Sequence, residues 1–321
     1  MSEPRTTTQS ENDADGGGGD NAENYTPPWS LPVLKAPSSK AYARFRQHVN
    51  PLSRRYQMRA DLPDDWPRSD FANTNLPLYL DIGCGKGGFL LELAGRRHRN
   101  NKHDADGEVR DDRYMNITKS LFDDSTSDWL PPEINYLGLE IRPGVSQYAQ
   151  ARVEKRGLGG IVSFVGCNAN VDLDRLLTLY RESADGKGEG DNRPAFVSVQ
   201  FPDPHFKKAH LKRRVVTPAL VSTLSKFMNE GDVVFLQSDI LEALEGMRER
   251  FVEEGDGTLY FDERVAEIPP SGNGDGEDGR GEEYGMENPL GVPTEREVSV
   301  VTKGLPVYRT LFVRNGVGFD S

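Results

Sequence analysis

The sequence predicts an α/β fold in which strands and helices alternate and one edge of the sheet carries a ligand site. Three observations predict it. Short runs rich in apolar and β-branched residues alternate with helical apolar stripes along the chain. A glycine-rich turn at residues 83–88 follows the first of these runs, and Glu140 ends the second. The carboxyl ends of strands in such a sheet form the crevice in which open α/β folds bind ligands.

The first predicted strand, residues 76–82, is apolar and leads into a turn with three spaced glycines before the first helix. Glycines at this point let the backbone approach a ligand and direct amide groups at it from the helix start. Gly83, Gly85 and Gly88 also satisfy the dinucleotide pattern Gly-x-Gly-x-x-Gly. The turn alone therefore does not decide which ligand binds.

Two acidic residues narrow the choice. Asp81 would repel a pyrophosphate but could hold a cationic amino group, directly or through water. The second predicted strand, residues 134–141, ends at Glu140, which could accept hydrogen bonds from a ribose hydroxyl pair. That acceptor lies about 20 residues past the turn in nucleotide-binding folds. Glu140 lies 52 residues past Gly88, and removing the polar stretch 99–133 leaves 17. A surface glutamate ending a strand is the alternative.

The third predicted strand, residues 161–166, follows a helix that Pro143 begins and Gly157 ends. Small polar residues at 167–170 come next, and these could hydrogen-bond an adenine edge or equally well form a turn. The following helix has an apolar stripe that predicts core packing, namely Leu173, Leu176, Leu177 and Tyr180.

A rigid acidic turn is predicted after the fourth strand, residues 195–200. Phe-Pro-Asp-Pro at 201–204 places Asp203 between two prolines, each of which fixes its own φ and restricts the residue before it. Five lysines and arginines and one histidine follow within residues 207–214. A fixed carboxylate beside a cationic patch suits a reaction on one base of a polyanion. A solvated basic loop is the alternative.

The remaining elements complete the sheet. Thr217 and Pro218 predict the N-cap and first position of a helix whose apolar stripe ends at Gly231. Three further strands are predicted at 233–237, 258–261 and 306–313, with a helix over 240–254.

The acidic residues are concentrated outside the predicted core. The 321 residues are 36% hydrophobic and 28% charged, which favours one large domain with tails. Residues 1–30, 99–133 and 269–293 carry −5, −4 and −5, so the rest carries about +2 against −12 overall. The overall acidity therefore does not exclude a polyanionic partner. We predict a disordered acidic tail at 1–40 and a basic lead-in arm at 41–75, which either contacts phosphate or merely packs on the domain. The domain itself is predicted at 76–314, with acidic inserts at 99–133, 182–193 and 269–293. A short tail follows at 315–321.

The cysteines and the apolar segments limit the cellular compartments in which the protein is expected. Cys84 and Cys167 lie in apolar segments without metal-ligand spacing, so we expect reduced, buried thiols and no metal site. No run of eighteen apolar residues occurs, and residues 1–30 are acidic without an apolar segment. We therefore expect a soluble protein of the cytoplasm or nucleus.

Strand–helix alternation with this turn and an acid ending the second strand resembles the class I S-adenosylmethionine-dependent methyltransferases. Phe-Pro-Asp-Pro and the basic residues behind it closely resemble one family within them, the tRNA guanine-N7 methyltransferases. Three other motifs fit that family or its cyanobacterial and plant branch: Thr-Glu-Arg-Glu at 294–297, Gly-Leu-Pro-Val-Tyr-Arg at 304–309 and Arg-Gln-His-Val-Asn-Pro-Leu at 46–52. The similarity spans about 76–314. It implies a Rossmann-like, seven-stranded mixed sheet with helices on both faces.

The resemblance also implies roles for individual residues. The catalytic carboxylate matches Asp203, and the cofactor is S-adenosylmethionine. The predicted cofactor contacts are Asp81, Gly83, Gly85, Glu140, Ile141, Asn168 and Ala169. The predicted contacts with tRNA and its guanine are Lys207, Lys208, Lys212, Arg213, Arg214, Asp239, Thr294, Glu295, Arg296 and Glu297. Ala209 departs from the family, where many members carry another base, so the patch is expected to be slightly weaker.

The expected reaction transfers a methyl group to N7 of a guanine in tRNA, in the variable loop by resemblance, forming 7-methylguanosine. Guanine N7 has a free in-plane lone pair, so positioning supplies most of the rate and no strong base is needed. A carboxylate at Asp203 would stabilise the cationic product and could accept hydrogen bonds from guanine N1–H and the N2 amino group. The base would be drawn out of the tRNA core.

Two other functions remain as alternatives. A non-catalytic RNA-binding scaffold on the same fold is disfavoured by the retained site residues. An NAD-dependent oxidoreductase is disfavoured by Asp81 and by the lack of a suitable acid or base for hydride transfer. The resemblance also raises a WD-repeat protein subunit as a partner, and the plant-like core leaves a plastid location open.

Overall fold

The computed structural model describes residues 33–34, 49–101, 129–184, 191–204, 213–252, 260–263 and 287–317. Its strands are β1 (Val33–Leu34), β2 (Arg59–Ala60), β3 (Leu78–Ile82), β4 (Asn135–Glu140), β5 (Val162–Gly166), β6 (Pro194–Gln200), β7 (Val233–Ser238), β8 (Phe261–Glu263) and β9 (Tyr308–Arg314). Its helices are α1 (Gly88–Asn101), α2 (Pro143–Lys155), α3 (Ala169–Glu182), α4 (Pro218–Phe227), α5 (Leu241–Val252) and α6 (Glu295–Val301).

Seven strands form one mixed sheet, which confirms the predicted fold class. The strand order is β5-β4-β3-β6-β7-β9-β8. The first five run parallel, and β9 pairs antiparallel with both β7 and β8. The strand order reverses between β3 and β6. The helix that follows β3 and the helix that follows β6 therefore lie on opposite faces of the sheet. The point of reversal is where a ligand crevice is expected in such a sheet.

Alternating side chains of the strands bury two separate cores. Leu78 and Leu80 of β3 pack on the face covered by α3, α4 and α5, whereas Tyr79 packs on the face covered by α1 and α2. The Tyr79 ring stacks on Phe196 of β6 at 5.2 Å between centroids. The predicted stripe of α3 is buried as expected, with Leu173, Leu176, Leu177 and Tyr180 all at most 2% exposed.

Helix α4 begins as predicted but ends earlier. Thr217 Oγ1 accepts a hydrogen bond from Leu220 N, and Pro218 occupies the first turn. The helix ends at Phe227 because Met228 is extended, with φ −86° and ψ 145°. Gly231, predicted as the end of this helix, instead has φ +88° in the turn that enters β7.

The tail and arm are partly ordered against the domain. Within the expected disordered tail, β1 pairs with β2 in a separate parallel ladder. Ala60 N donates to the buried carboxylate of Asp172 at 2.5 Å, which anchors the arm to α3. The described residues of the arm therefore contact the domain, and the expected contact of the arm with phosphate stays a prediction.

The long acidic insert begins later than predicted, because α1 continues to Asn101. Residues 102–128 lie outside the described part of the chain, as do 185–190 of the second insert and 269–286 of the third. Arg97, near the end of α1, donates through Nη2 to Pro131 O at 2.6 Å. The two ends of the long insert therefore meet at the edge of the sheet where β4 begins, opposite the carboxyl ends of the strands.

The described residues contain neither a candidate membrane-spanning helix nor a candidate metal cluster. None of their helices is both long and apolar enough to span a bilayer. They also contain no group of three or more His, Cys, Asp or Glu side chains arranged to hold a metal ion.

Candidate active site

A cavity of about 190 Å³ opens at the carboxyl ends of the parallel strands. It is bounded by the ends of β3, β4, β5 and β6 and by two segments from elsewhere in the chain. Its described lining consists of Val49, Pro51, Ile82, Gly83, residues 139–142, residues 167–170, residues 200–203 and residues 213–215. Five of the seven predicted cofactor residues lie in this wall, namely Gly83, Glu140, Ile141, Asn168 and Ala169.

The glycine turn has a backbone that only glycine adopts readily. Gly83 and Gly85 have φ +86° and +56°, and no described heavy atom lies within 4 Å of where a Cβ would sit on either. Gly83 N and Cys84 N both donate to Leu139 O, at 2.8 and 3.0 Å, which fixes the turn against β4. The open space over the turn fits the close approach of a ligand. Gly85 belongs to this turn but not to the described cavity wall.

Asp81 lies behind the cavity wall, not in its described lining. Its side chain is on β3 and accepts a hydrogen bond from Ser198 Oγ of β6 at 2.7 Å. Burial raises the pKa of Asp81 to about 6, against the lowering effect of that hydrogen bond. The predicted contact of Asp81 with a cofactor amino group, directly or through water, stays a prediction.

Glu140 is held by an arginine that the sequence analysis did not single out. Arg142 donates through Nε to Oε1 at 2.8 Å and through Nη2 to Oε2 at 3.0 Å. The Glu140 carboxylate raises the pKa of Arg142, and the charge of Asp203 adds to the effect. Arg142 thus interacts with both the predicted ribose acceptor, Glu140, and the predicted catalytic carboxylate, Asp203. Its position two residues past the acidic strand end was the available signal.

Asn168 caps a helix and also holds the arm. Its side chain caps α3 by accepting from Asn170 N at 3.2 Å. Its Nδ2 group donates to Pro51 O and Tyr56 O at 3.3 and 3.2 Å, which holds the arm over the cavity. A ligand edge at this position would therefore meet an amide already engaged by the protein.

The Phe-Pro-Asp-Pro turn closes the opposite wall. Phe201 has φ +48°, unusual for a residue with a side chain, and its N–H donates to Gln237 O at 2.9 Å. Asp203 is exposed at the cavity rim. Among the basic residues, Arg213 and Arg214 line the cavity, and the Arg214 guanidinium packs against Gly246 of α5. Lys207, Lys208 and Lys212 lie outside the described residues.

The structure does not bring the predicted substrate segment of α6 into the cavity wall. Thr294 and Glu297 form a capping box at the start of α6. Glu297 is fully buried and accepts from Arg309 Nη2 at 2.8 Å and from Asn288 Nδ2 at 3.0 Å. Glu297 therefore has no surface exposed to a substrate in this structure.

The exposed residues of this segment lie nearby but have other neighbours. Arg296 forms an ion pair with Asp239. The Glu295 carboxylate lies 2.9 Å from the position that a Cβ on Gly88 would take, beside the start of α1. Asp239, Glu295 and Arg296 are therefore near the carboxyl edge of the sheet but outside the described lining of the cavity.

The two cysteines are unsuited to nucleophilic chemistry. Neither forms a disulfide. Burial raises the pKa of both thiols well above the ordinary value, with the Asp81 charge adding to the effect at Cys84 and the Asp172 charge at Cys167. Because the thiolate is the reactive form, a covalent cysteine mechanism is disfavoured.

The sheet order, the glycine turn and the acidic strand end define a class I S-adenosylmethionine-dependent methyltransferase. A methyltransferase family model, Methyltransf_4, matches residues 130–267. Among solved structures, a precorrin-6y C5,15-methyltransferase from Geobacter metallireducens GS-15 covers 74% of this chain and 78% of its own at a TM-score of 0.35 and 15% identity, too distant to assign a function.

Sequence relatives identify the family. A Synechococcus elongatus protein named tRNA (guanine-N(7)-)-methyltransferase is 38% identical over 85% of this chain and 98% of its own. Relatives with the same name from Microcystis aeruginosa and Prochlorococcus marinus are 36% and 35% identical, over 98% and 88% of their own lengths. The chain belongs to the tRNA (guanine-N(7)-)-methyltransferase family, and its cofactor is S-adenosylmethionine.

Proposed function

We propose that the protein transfers the methyl group of S-adenosylmethionine to N7 of a guanine in tRNA, with a variable-loop guanine as the expected position. The observation that carries this proposal is the placement of Asp203. It stands on a turn between two prolines, at the rim of a cavity whose other walls hold the glycine turn and Glu140. Arg213 and Arg214 lie in the same wall. An acid beside arginines at a cofactor cavity suits a cationic product made from a polyanion.

Each residue at the cavity has its own role in the proposed reaction. When bound, S-adenosylmethionine supplies an electrophilic methyl group. The glycine turn offers open backbone to it, and Glu140 offers a carboxylate to the ribose hydroxyls. Asp203 stabilises the positive charge that guanine gains at N7, and Arg213 and Arg214 attract the flanking phosphates. N7 needs no deprotonation, so the site needs positioning more than a strong base.

The test is product analysis. The purified chain is incubated with unmodified tRNA and methyl-labelled S-adenosylmethionine, and the RNA is digested to nucleosides for mass spectrometry. We expect 7-methylguanosine that depends on both protein and cofactor. Binding of tRNA and cofactor without any methylated nucleoside would instead favour the non-catalytic scaffold, and a methyl group on another base would contradict the proposal.

Two finer proposals rest on the resemblance and on composition. One is that a WD-repeat subunit joins the enzyme, which would be contradicted if the chain alone reaches the same turnover as in a cell extract.

The other is a cytoplasmic or nuclear location, for which the acidic residues 1–30 are the support. A fluorescent fusion found in plastids would overturn the second proposal.

A further inference from the structure

A chain of polar side chains crosses the sheet beneath the cavity. Gln200, at the end of β6, is the register partner of Gln237 on β7, which is in turn the partner of Arg309 on β9. Gln237 is fully buried and Arg309 is 4% exposed. Gln200 is half-buried and lines the cavity immediately before the Phe-Pro-Asp-Pro turn. The chain therefore connects a buried guanidinium to the wall of the active site.

Arg309 determines which way the side-chain amides of Gln237 and Gln200 are oriented. A guanidinium can only donate hydrogen bonds, and Arg309 Nε donates to Gln237 Oε1 at 3.0 Å. The amide nitrogen of Gln237 must then face the other way, and it donates to Gln200 Oε1 at 2.7 Å. Gln237 Nε2 also donates to Glu297 Oε2 at 3.3 Å. The acceptor end of Gln200 is thus occupied, and its donor end is fixed on the opposite side.

The donor end of Gln200 is only weakly engaged within the protein. Its Nε2 group lies 3.3 Å from Ser198 Oγ and 3.5 Å from Asp81 Oδ1. Both distances are long for an N–H···O hydrogen bond, which is commonly about 2.9–3.0 Å. An acceptor on a ligand in the cavity could replace either contact at little cost. Gln200 stands between the cofactor walls on β3 to β5 and the Asp203 turn.

We propose that Gln200 recognises O6 of the target guanine and that Gln237 and Arg309 are positioning residues that fix its amide as a donor. The inference rests on the proposed function, because it needs guanine N7 at the cofactor. O6 adjoins N7 on the same edge of guanine, and adenine carries an amino donor in that place. A fixed donor at Gln200 therefore pairs with guanine and opposes adenine. An amide turned the other way would favour adenine.

This arrangement complements Asp203. With N7 and O6 directed inward to the cofactor and Gln200, the N1–H and the N2 amino group are directed outward. Asp203 lies three residues further on and is exposed at the rim, where a carboxylate could accept from those two donors. Gln200 at the end of β6 and Asp203 in the turn that follows would thus recognise different polar edges of guanine.

The experiment compares tRNA with guanine and tRNA with 2-aminopurine at the methylated position. 2-Aminopurine keeps N7 and the 2-amino group but lacks O6 and the N1 hydrogen, and the loss of the N1 hydrogen cancels when variant and wild type are compared on the same tRNA. We expect Gln200→Leu to lose about tenfold in single-turnover kcat/KM on guanine, the scale of one hydrogen bond, and to leave the 2-aminopurine rate unchanged. The guanine preference then falls about tenfold. Equal losses on both tRNAs, or no loss on guanine, would overturn the inference.

A second variant tests the positioning residues. Gln237→Glu keeps an acceptor for Arg309 but faces Gln200 with another acceptor, so the Gln200 amide must turn and present oxygen to the cavity. We expect the same fall in guanine preference, although residue 237 is fully buried. An unchanged preference in a folded variant would remove Gln237 from the inference. If this variant does not fold, Gln200→Leu still decides the proposal.

The matched control is Gln150→Leu. Gln150 is also half-buried and uses its Oε1 to accept from Phe164 N at 2.8 Å, but it lies on α2 outside the described cavity wall. We expect a change in stability and an unchanged guanine preference. Wild-type methylation of guanine tests the proposed function separately, since its absence would refute that function whatever the variants do.

Discussion

Asp81 shows how the position of one side chain sets its chemistry. In sequence it is an acid next to a glycine turn, which suggested contact with a ligand, directly or through water. In the structure it is 4% exposed behind the cavity wall, and burial raises its pKa to about 6. The folded protein therefore holds this proton more tightly than the unfolded chain, in which an aspartate has a pKa near 3.9. Its contribution to stability is fully present below about pH 4 and is lost as pH rises through about 6.

Replacing Asp81 with Asn should remove this pH dependence. The free energy of unfolding of Asp81→Asn relative to wild type should rise by up to about 3 kcal/mol between about pH 4 and pH 7, and then level off. Urea titrations at several pH values measure the difference. A flat difference for Asp81→Asn would mean that this carboxylate titrates normally in the folded protein.

Glu140 is the residue expected to contribute most to cofactor affinity. Glu140→Ala should weaken S-adenosylmethionine binding by about 1.5–3 kcal/mol, the scale of a hydrogen bond to a charged group. Calorimetry measures the change. Glu133→Ala is the control, because Glu133 is exposed near the opposite end of the same strand. Unchanged affinity in Glu140→Ala would remove Glu140 from the cofactor site.

At the scale of elements, α6 is anchored through its buried side. The helix has seven residues and begins with the Thr294–Glu297 capping box. The same Glu297 forms an ion pair with Arg309 of β9, which attaches the helix to the sheet. Short helices depend on such tertiary contacts because few intrahelical hydrogen bonds hold them. The motif that resembled a substrate-binding segment therefore also fixes the helix on the sheet.

Removing Glu297 should therefore cost stability first. Glu297→Ala leaves the buried Arg309 without its carboxylate, and we expect a loss of about 3–5 kcal/mol in the free energy of unfolding. Urea denaturation measures it. Glu295→Ala, on the exposed side of the same helix, should change stability by less than about 0.5 kcal/mol. Wild-type stability combined with lost tRNA affinity in Glu297→Ala would show instead that Glu297 serves the substrate.

At the scale of the whole molecule, the sequence predicted what local patterns encode. Strand periodicity, the helix start at Thr217 and the glycine turn depend on neighbouring residues, so the seven strands and the cavity edge could be predicted. The end of α4, the burial of Asp81 and the partners of Glu297 depend on contacts between distant elements. The pairing of Arg142 with Glu140 depends on a side-chain conformation. No local pattern encodes these, so only the structure shows them.

The long acidic insert should be dispensable for the reaction. Its ends meet where Arg97 contacts Pro131, at the edge of the sheet opposite the cavity. Charges separated by more than about 8 Å of solvent are largely screened at physiological salt. Deleting residues 104–126 should therefore leave kcat/KM for tRNA within about threefold of wild type. Methylation kinetics on the folded variant measure this, and complete loss of activity would show that the insert contributes to the site.

Methylation of guanine N7 is tested most directly by mapping the methyl group on tRNA with reduction and aniline cleavage, which cuts the RNA at 7-methylguanosine. We expect one cleavage in the variable loop that requires S-adenosylmethionine. Asp203→Asn should show a much weaker cut while its tRNA affinity in filter binding stays near wild type, because the carboxylate acts on the guanine and not on phosphate. Full cleavage by Asp203→Asn together with lost tRNA binding would contradict the role of Asp203, and a methyl group on another atom would contradict N7 methylation.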